Sequence, residues 1–483
     1  MKRLMVAFML VAGAIGKVEA KPNVIFLLTD DLGYGDVGWT WQGKRPANVA
    51  KIETPNLDRL AAEGVTMNSH YCAAPVCAPS RGSILTGRRQ PNCSVHDNMF
   101  DHPITEPETL GTVMKRGGYR TMAVGKWGVG GGGESGKPVT AHPLDKGFDS
   151  YYGFMDHMAG HTYYHYEGFI RNAYMGVWNG KEKVTKEAEG IYSTDLFIAK
   201  AKAQIADAVK EDPKRPFFLY LAINTVHGSG QCDDTIKNKH KLHVPGRPYP
   251  KDGVVWPLEP EPLEARNSWI DPRYASLPNE NMQRYATAIS RLDDAVGDLM
   301  RHLERLGVAK NTILVFTSDN GPTDEYGTDT RYFRSTGPFD GMKRDVYEGG
   351  MRVPTFVWKQ GGFKVKEDKA PSISTDWMAT FADIAGVDIP AQCDGVSLVP
   401  RWLGRKNAKA STISTGYHGF QGWEQDFREF AARKHNLVRG DQMMKREGDI
   451  VTLQAGGKDK PVRRYDVVKD PHQDRDLNEK ETK

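Results

Sequence analysis

Short apolar runs that alternate with longer amphipathic segments constrain the fold of this chain more than any other sequence feature. Residues 23–28, 217–223 and 312–317 have the composition of buried strands, and residues 193–210 and 282–306 have the spacing of amphipathic helices. This alternation predicts an α/β fold, in which a large mixed, mainly parallel sheet is sandwiched by helices. Ligands in such folds bind at the carboxyl ends of the strands.

Composition divides the chain into three segments. Residues 1–20 carry Lys2 and Arg3, an apolar run and a small residue at Ala20, which is typical of a cleaved signal peptide. Residues 21–410 hold the α/β pattern, and residues 411–483 are polar and punctuated by glycine. For the last segment we expect a small C-terminal subdomain with an antiparallel sheet. The chain is therefore predicted to be periplasmic or secreted, without a membrane anchor.

Charge and cysteine content limit the partners and the covalent chemistry. The formal net charge of +4 is too small to indicate binding to nucleic acid, although it allows a local basic pocket for an anion. The five cysteines are Cys72, Cys77, Cys93, Cys232 and Cys393. Export permits disulfides, but an odd number leaves one thiol without a partner, and the sequence does not decide which of the others pair.

Two polar turns follow two of the predicted strands. Asp30 and Asp31 come directly after the first strand, and Asp319 and Asn320 follow the strand at residues 312–317. Carboxylate and amide oxygens suit Ca²⁺ better than Zn²⁺. Paired aspartates also cap helices and shape turns, but two such pairs at strand ends favour a metal site.

A cysteine lies just before a predicted helix, in the run Cys77-Ala78-Pro79-Ser80-Arg81. Pro79 favours the first helical turn, and free N–H groups at a helix N-terminus attract anions and lower the pKa of a thiol. Arg81 lies one helical turn later, so its side chain is expected to face back toward Cys77. Taken alone, the run is equally compatible with a capped helix that holds an incidental cysteine.

The run does not stand alone. It resembles the signature of the type I sulfatases, which belong to the alkaline phosphatase-like superfamily: Cys, any residue, Pro, Ser, Arg. Further stretches resemble the same family in the same order. They are residues 21–36, 54–61, 118–121, 125–127, 147–149, 317–321, 341–343 and 348–354. The resemblance extends over nearly the whole mature chain, with residues 21–410 as the expected catalytic domain, and implies that the chain is a sulfuric ester hydrolase.

The resemblance implies two cofactors. A maturation enzyme, the formylglycine-generating enzyme, would oxidise Cys77 to formylglycine, whose hydrated aldehyde attacks the sulfur of the ester. A calcium ion would neutralise the sulfate oxygens. The implied calcium ligands are Asp30, Asp31, Asp319, Asn320 and the residue derived from Cys77.

The resemblance also implies roles for four further residues. Arg81 would hold the formylglycine and the sulfate, and Lys126 and Lys343 would bind the sulfate by fixed electrostatic attraction. His227 would donate a proton to the leaving-group oxygen. Outside this motif context, each lysine would be interpreted as a solvated surface group and His227 as a structural residue at a strand end.

One position departs from the family pattern. Gly128 stands where the family usually has a histidine that helps to release sulfate. His157, His161 and His165 follow in a nearby aromatic stretch, and we expect one of them to take over this role. A water or a carboxylate could also serve, and the third reading is a non-catalytic protein that binds sulfated glycans.

The substrate predicted from the sequence is a sulfated carbohydrate. Basic and aromatic side chains in loops suit sulfated sugar rings, and the chain is similar to marine bacterial sulfatases that act on algal galactans such as carrageenan. A phosphoester hydrolase on the same fold is the alternative, although carboxylate and amide ligands for one metal argue against it. The residues expected to contact the substrate are His161, His165, Arg247, Arg331 and Arg334; Arg273 and His418 are further candidates for binding anionic groups.

Overall fold

The computed structural model of the 483-residue chain describes residues 20–98, 102–132, 138–166, 176–229, 236–325, 328–417 and 441–479. Of the features expected above, residues 1–19 of the predicted signal peptide, Cys232 and His418 lie outside the described residues. The four cysteines that are described, Cys72, Cys77, Cys93 and Cys393, are all free thiols.

The main sheet contains nine strands within the described ranges. They are β1 (Asn23–Thr29), β2 (Val65–Thr66), β4 (Arg120–Lys126), β5 (Ser150–Phe154), β6 (Val177–Asn179), β7 (Glu182–Lys183), β8 (Phe217–Ala222), β9 (Thr312–Ser318) and β10 (Phe356–Lys359). The order is β2-β10-β9-β1-β8-β4-β5-β6-β7. The five central strands, from β9 to β5, are parallel, and the strands outside them pair in antiparallel fashion.

Helices pack on both faces of this sheet. The helices in the described ranges are α1 (Pro55–Glu63), α2 (Cys77–Thr86), α3 (Leu110–Arg116), α4 (Ser193–Glu211), α5 (Glu280–Arg305), α6 (Glu348–Met351), α7 (Asp376–Ala385) and α8 (Val399–Trp402). Ile25 and Leu27 of β1 point into the core beneath α1, α4 and α5, whereas Phe26 points into the core beneath α3 and α7. The predicted mixed, mainly parallel sheet between helices is therefore confirmed.

A second sheet lies in the C-terminal part of the chain. It is antiparallel and consists of β12 (Ile413–Tyr417), β13 (Gln442–Glu447), β14 (Ile450–Ala455) and β15 (Val462–Asp466). Between the two sheets, the short strands β3 (His70–Tyr71) and β11 (Ser372–Ile373) pair in parallel. The expected C-terminal antiparallel sheet is confirmed, and the boundary at residue 410 stays a prediction.

Candidate active site

The two polar turns meet at one edge of the sheet. Because β1 and β9 are parallel neighbours whose last pair is Thr29 with Ser318, both turns leave the sheet at the same place. The backbone N–H of Asp31 donates to Asp319 Oδ1 at 3.2 Å, and the side-chain amide of Asn320 donates to Asp31 Oδ1 at 2.7 Å. The strand order thus brings together two pairs of neighbouring residues that are almost 290 residues apart in sequence.

Helix α2 delivers Cys77 to this edge. The Cys77 thiol donates to Asp30 Oδ1 at 3.3 Å and lies 4.0 Å from Asp31 Oδ1. The expectation of a lowered thiol pKa is wrong. Burial and the negative charge of Asp30 raise the pKa of the Cys77 thiol well above its ordinary value, because both disfavour a thiolate more than the helix N-terminus favours it.

Arg81, one turn further along α2, is fully buried among the carboxylates. Its Nε and Nη2 lie 2.9 and 2.8 Å from Asp319 Oδ2, and Nη2 lies 3.4 Å from Asp30 Oδ2. Its Nη1 donates to the carbonyl of Lys126 at 3.1 Å. The guanidinium therefore ties the ends of β1, β4 and β9 together.

Two buried lysines each contact one carboxylate of the first turn. Lys126, the last residue of β4, places its Nζ 2.6 Å from Asp30 Oδ2. Lys343 places its Nζ 2.9 Å from Asp31 Oδ2 and 3.2 Å from His227 Nε2. Although burial opposes ionisation, the positive charges of Lys126 and Arg81 hold the pKa of Asp30 well below its ordinary value. Asp30 is thus ionised between two cations.

His227 follows β8 and is held from two sides. Its Nδ1 lies 2.8 Å from the carbonyl oxygen of Gly228, so an Nδ1–H donates there and Nε2 faces Lys343. The hydroxyl of Tyr163 lies 3.0 Å from the carbonyl oxygens of both Asn224 and His227. Burial, and then the ammonium of Lys343, lower the pKa of His227 to about 4, so the ring is neutral near pH 7.

Four buried side chains form a candidate metal site. One ligand atom from each of Asp30, Asp31, Cys77 and His227 lies within 4.8 Å of the others, and all four residues are buried. The Oδ1 of Asn320 is also buried and has no hydrogen-bond partner among the described residues, as expected for a carbonyl oxygen that awaits a cation.

The carboxylate of Asp319 belongs to the same cluster. Burial, and then repulsion by the negative charge of Asp30, raise the pKa of Asp319. A divalent cation would relieve this repulsion. Of the expected calcium ligands, Asp30, Asp31 and Cys77 thus belong to the candidate metal site, whereas the identity of the ion and the roles of Asp319 and Asn320 stay predictions.

The region around Gly128 contains two of the three expected histidines. Gly128 has φ of +70°, and a Cβ added there would lie 3.3 Å from the Cβ of His157. The ring of His161 lies 4.4 Å from that of His227, centroid to centroid. His165 instead packs in the core against Phe154, with ring centroids 4.1 Å apart.

The arginines expected to bind substrate are held by other partners. Arg247 lies 3.8 Å from Glu261 and lines a cavity of about 610 Å³ with Tyr249 and Lys251. Arg331 lies 3.4 Å from Asp324. The guanidinium of Arg334 stacks 4.8 Å from the ring centroid of Trp41, and that of Arg273 bonds to Asp271. Their contact with a substrate stays a prediction.

Sequence reasoning missed three residues beside the cluster. Tyr163 holds the backbone at His227, Glu325 lies 3.5 Å from Lys343, and Arg344 pairs with Glu325. None belongs to a motif used above. The only signal for Arg344 is its position next to Lys343, since the contacts of all three depend on the tertiary fold.

None of the helices in the described part of the chain is both long and apolar enough to cross a bilayer.

Comparison with known proteins gives consistent matches along the chain. Residues 22–387 match the family model described as Sulfatase. Mouse arylsulfatase J is 30% identical over 408 residues, which cover 80% of this chain and 56% of that protein. Mouse N-acetylgalactosamine-6-sulfatase is 29% identical over 443 residues, which cover 82% of this chain and 69% of that protein.

Solved structures show the same architecture. The crystal structure of Ps i-CgsB is 25% identical, with a TM-score of 0.70, and the match covers 95% of this chain and 88% of that chain. The same protein in complex with k-i-k-neocarrahexaose matches with a TM-score of 0.69.

Proposed function

Since this chain belongs to the sulfatase family, we propose that it hydrolyses sulfate esters on a carrageenan-type sulfated carbohydrate, using a formylglycine made from Cys77 and one calcium ion. One observation carries the proposal: Cys77 Sγ lies 3.3 Å from Asp30 inside a buried cluster of carboxylates, lysines and an arginine. A phosphomonoesterase has no need of a cysteine at this place.

The formylglycine would supply the attacking hydroxyl, and a bound calcium ion would draw charge from the sulfate oxygens. The buried lysines of the protein would supply further electrostatic stabilisation. Lys126 contacts Asp30 and Lys343 contacts the adjacent Asp31, so a sulfate bound at this turn would contact both ammonium groups. Because these cations are buried and already fixed, they need little reorganisation when charge develops on the leaving oxygen.

His227 is proposed to give a proton to the leaving-group oxygen from Nε2. Its Nδ1 is engaged by the carbonyl of Gly228, which leaves Nε2 as the atom that faces the sulfate site. The pKa of about 4 belongs to the site without substrate. A sulfate ester bound beside the ring adds negative charge, which favours the protonated imidazole and raises its pKa.

His161 is proposed to replace the histidine that the family usually has at position 128. Its ring centroid lies 4.4 Å from that of His227, with the rings tilted by 31°. The preceding residue packs on Lys126, since a Cβ added at Gly160 would lie 3.0 Å from Lys126 Cδ. His157 occupies the space next to Gly128. Two imidazoles thus enter the site from the segment after β5.

The substrate class rests on the similarity to Ps i-CgsB, whose complex contains neocarrahexaose. The N-acetylgalactosamine-6-sulfatases among the relatives make an animal-type glycan the main competitor. The predicted signal peptide supports a periplasmic or secreted location, where such polymers are met.

The proposal is tested by sulfate release and by mass spectrometry of the peptide that contains residue 77. We expect the exchange of sulfur and two hydrogens for one oxygen at Cys77. We also expect sulfate release from neocarrahexaose that exceeds release from N-acetylgalactosamine-6-sulfate, and that is lost in Cys77→Ala. An unmodified Cys77 from a host with a competent maturation enzyme, or a preference for phosphomonoesters, would contradict the proposal.

A further inference from the structure

Glu325 is a buried carboxylate beside the cluster that the roles proposed above do not use. Its Oε2 lies 3.5 Å from Lys343 Nζ, and its Oε1 bonds to Nη1 of Arg344. Only 4% of the Glu325 side chain and 12% of the Arg344 side chain are exposed. A negative charge this close to a lysine that binds sulfate would normally weaken the binding of an anion.

Lys343 and Arg344 are held in place by three separate parts of the chain. The N–H of Lys343 donates to the carbonyl of Pro322 at 2.9 Å, and the N–H of Arg344 donates to the carbonyl of Pro75, two residues before Cys77, at 2.7 Å. The amide of Gln442 in β13 donates to the carbonyl of Arg344 at 2.8 Å. Arg344 also has φ of +75°, which a non-glycine residue adopts only when its surroundings enforce it. The backbone therefore fixes both side chains relative to the nucleophile.

Among the described residues, the Nζ of Lys343 has three partners. They are Asp31 at 2.9 Å, His227 at 3.2 Å and Glu325 at 3.5 Å. Asp31 is a proposed calcium ligand and His227 faces the leaving group. During the reaction, both residues would therefore interact with groups other than Lys343. Glu325 has neither task, and it is the partner that can hold the ammonium throughout.

Arg344 both favours the ionised form of Glu325 and balances its negative charge. Although burial alone would raise it, Arg344 and then Lys343 lower the pKa of Glu325 to about 2, so the carboxylate is ionised near neutral pH. Paired with Arg344, it adds no net charge to the sulfate site. The pair can thus orient an ammonium without repelling the substrate.

We propose that Glu325 is a positioning residue that orients Lys343 toward the sulfate, and that Arg344 neutralises Glu325 so that the anionic substrate still binds. This inference rests on the proposed function, because it assumes that Lys343 contacts sulfate. Glu325 touches no reacting atom, and an ordinary stabilising ion pair is the competing explanation.

The test compares Glu325→Gln, Arg344→Gln and the double variant, with calorimetry of inorganic sulfate binding to the calcium-loaded protein. In Arg344→Gln the charge of Glu325 is uncompensated, so the Kd for sulfate is expected to rise about tenfold or more. The double variant removes that charge again, and its Kd is expected to return to within about threefold of the wild-type value. A structural ion pair predicts the reverse, namely a double variant no better than the single one.

Kinetics separate positioning from binding. Glu325→Gln removes a negative charge and keeps the positive charge of Arg344, so the Kd for sulfate is not expected to rise, whereas kcat is expected to fall about tenfold because Lys343 loses its fixed orientation. A Kd that rises together with the fall in kcat, or an unchanged kcat, would overturn the assignment. Arg344→Lys keeps the charge and should bind sulfate like the wild type, which shows that the charge rather than folding is tested.

A matched control is available at a distance from the cluster. Asp195 and Arg291 form a comparably buried pair between α4 and α5, with Asp195 Oδ1 2.9 Å from Arg291 Nε. Asp195→Asn is expected to lower stability without changing the Kd for sulfate. If the wild type binds sulfate but hydrolyses no sulfate ester, the proposed function fails while the binding comparison still tests the inference. If Arg344→Gln binds sulfate as tightly as the wild type, the inference alone fails.

Discussion

Replacement of Arg81 by methionine tests whether the carboxylate cluster depends on this one cation. The Arg81, Asp30 and Asp319 side chains are all 0% exposed, so water does not screen their interaction. Arg81 Nε and Nη2 both lie within 3 Å of Asp319. Removal of one partner from a buried ion pair costs about 3–5 kcal/mol, because the remaining charge is left without compensation. We therefore expect Arg81→Met to lower the free energy of unfolding by about 3–5 kcal/mol in chelator.

Calcium should recover part of this loss. If Asp30 and Asp319 bind the ion, saturating calcium supplies the positive charge that the methionine lacks, and the folded state gains further from mass action. The assay is urea unfolding followed by tryptophan fluorescence, with and without calcium, for the wild type, Arg81→Met and Arg81→Lys. The lysine variant keeps the charge but not the bidentate geometry, so it should fall between the other two.

Arg59→Met is the surface control. Arg59 pairs with Glu63 at 3.1 Å on α1, but both side chains are about half exposed. Such a pair contributes about 0.3–0.5 kcal/mol. A loss below about 1 kcal/mol for Arg81→Met, or an equal loss in chelator and in calcium, would refute the argument that Arg81 and a cation share the same carboxylates.

Three further predictions concern other parts of the molecule. His161→Ala should give a burst of alcohol release with slow sulfate turnover in rapid-quench kinetics, whereas His165→Ala should give no burst; a burst-free His161→Ala excludes the substitute role. Tyr163→Phe removes the hydroxyl at the His227 carbonyl, so kcat should fall while the free energy of unfolding changes by about 1 kcal/mol; an unchanged kcat would contradict this role. Burial raises the pKa of Asp36 from 3.8 to about 7, so its contribution to stability is present below about pH 4 and is lost as the pH rises to 7. Asp36→Asn should flatten this decline in urea unfolding between pH 4 and 7, and an unchanged slope would show that Asp36 is not its source.

Sequence reasoning predicted the strands, helices and turns that form the site better than the loop contacts around it. The strand at residues 23–28 and the helix at 282–306 are observed as Asn23–Thr29 and Glu280–Arg305, because long apolar or amphipathic periods report burial directly. The meeting of the two polar turns required only that both strands be parallel and adjacent. By contrast, the contact between Glu325 and Lys343 joins two loops, and no local pattern encodes the path of a loop.

The thiol pKa of Cys77 shows why a local rule can fail at a functional site. A helix N-terminus offers partial positive charge, but Asp30 Oδ1 lies 3.3 Å from the sulfur and water is excluded, so the thiol stays protonated. A protonated thiol is a poor nucleophile. The same surroundings that disable a cysteine suit a group that attacks through oxygen, because lysines, Arg81 and carbonyl and carboxylate oxygens already stand around residue 77. The electrostatics of Cys77 thus argue against catalysis by the unmodified thiol.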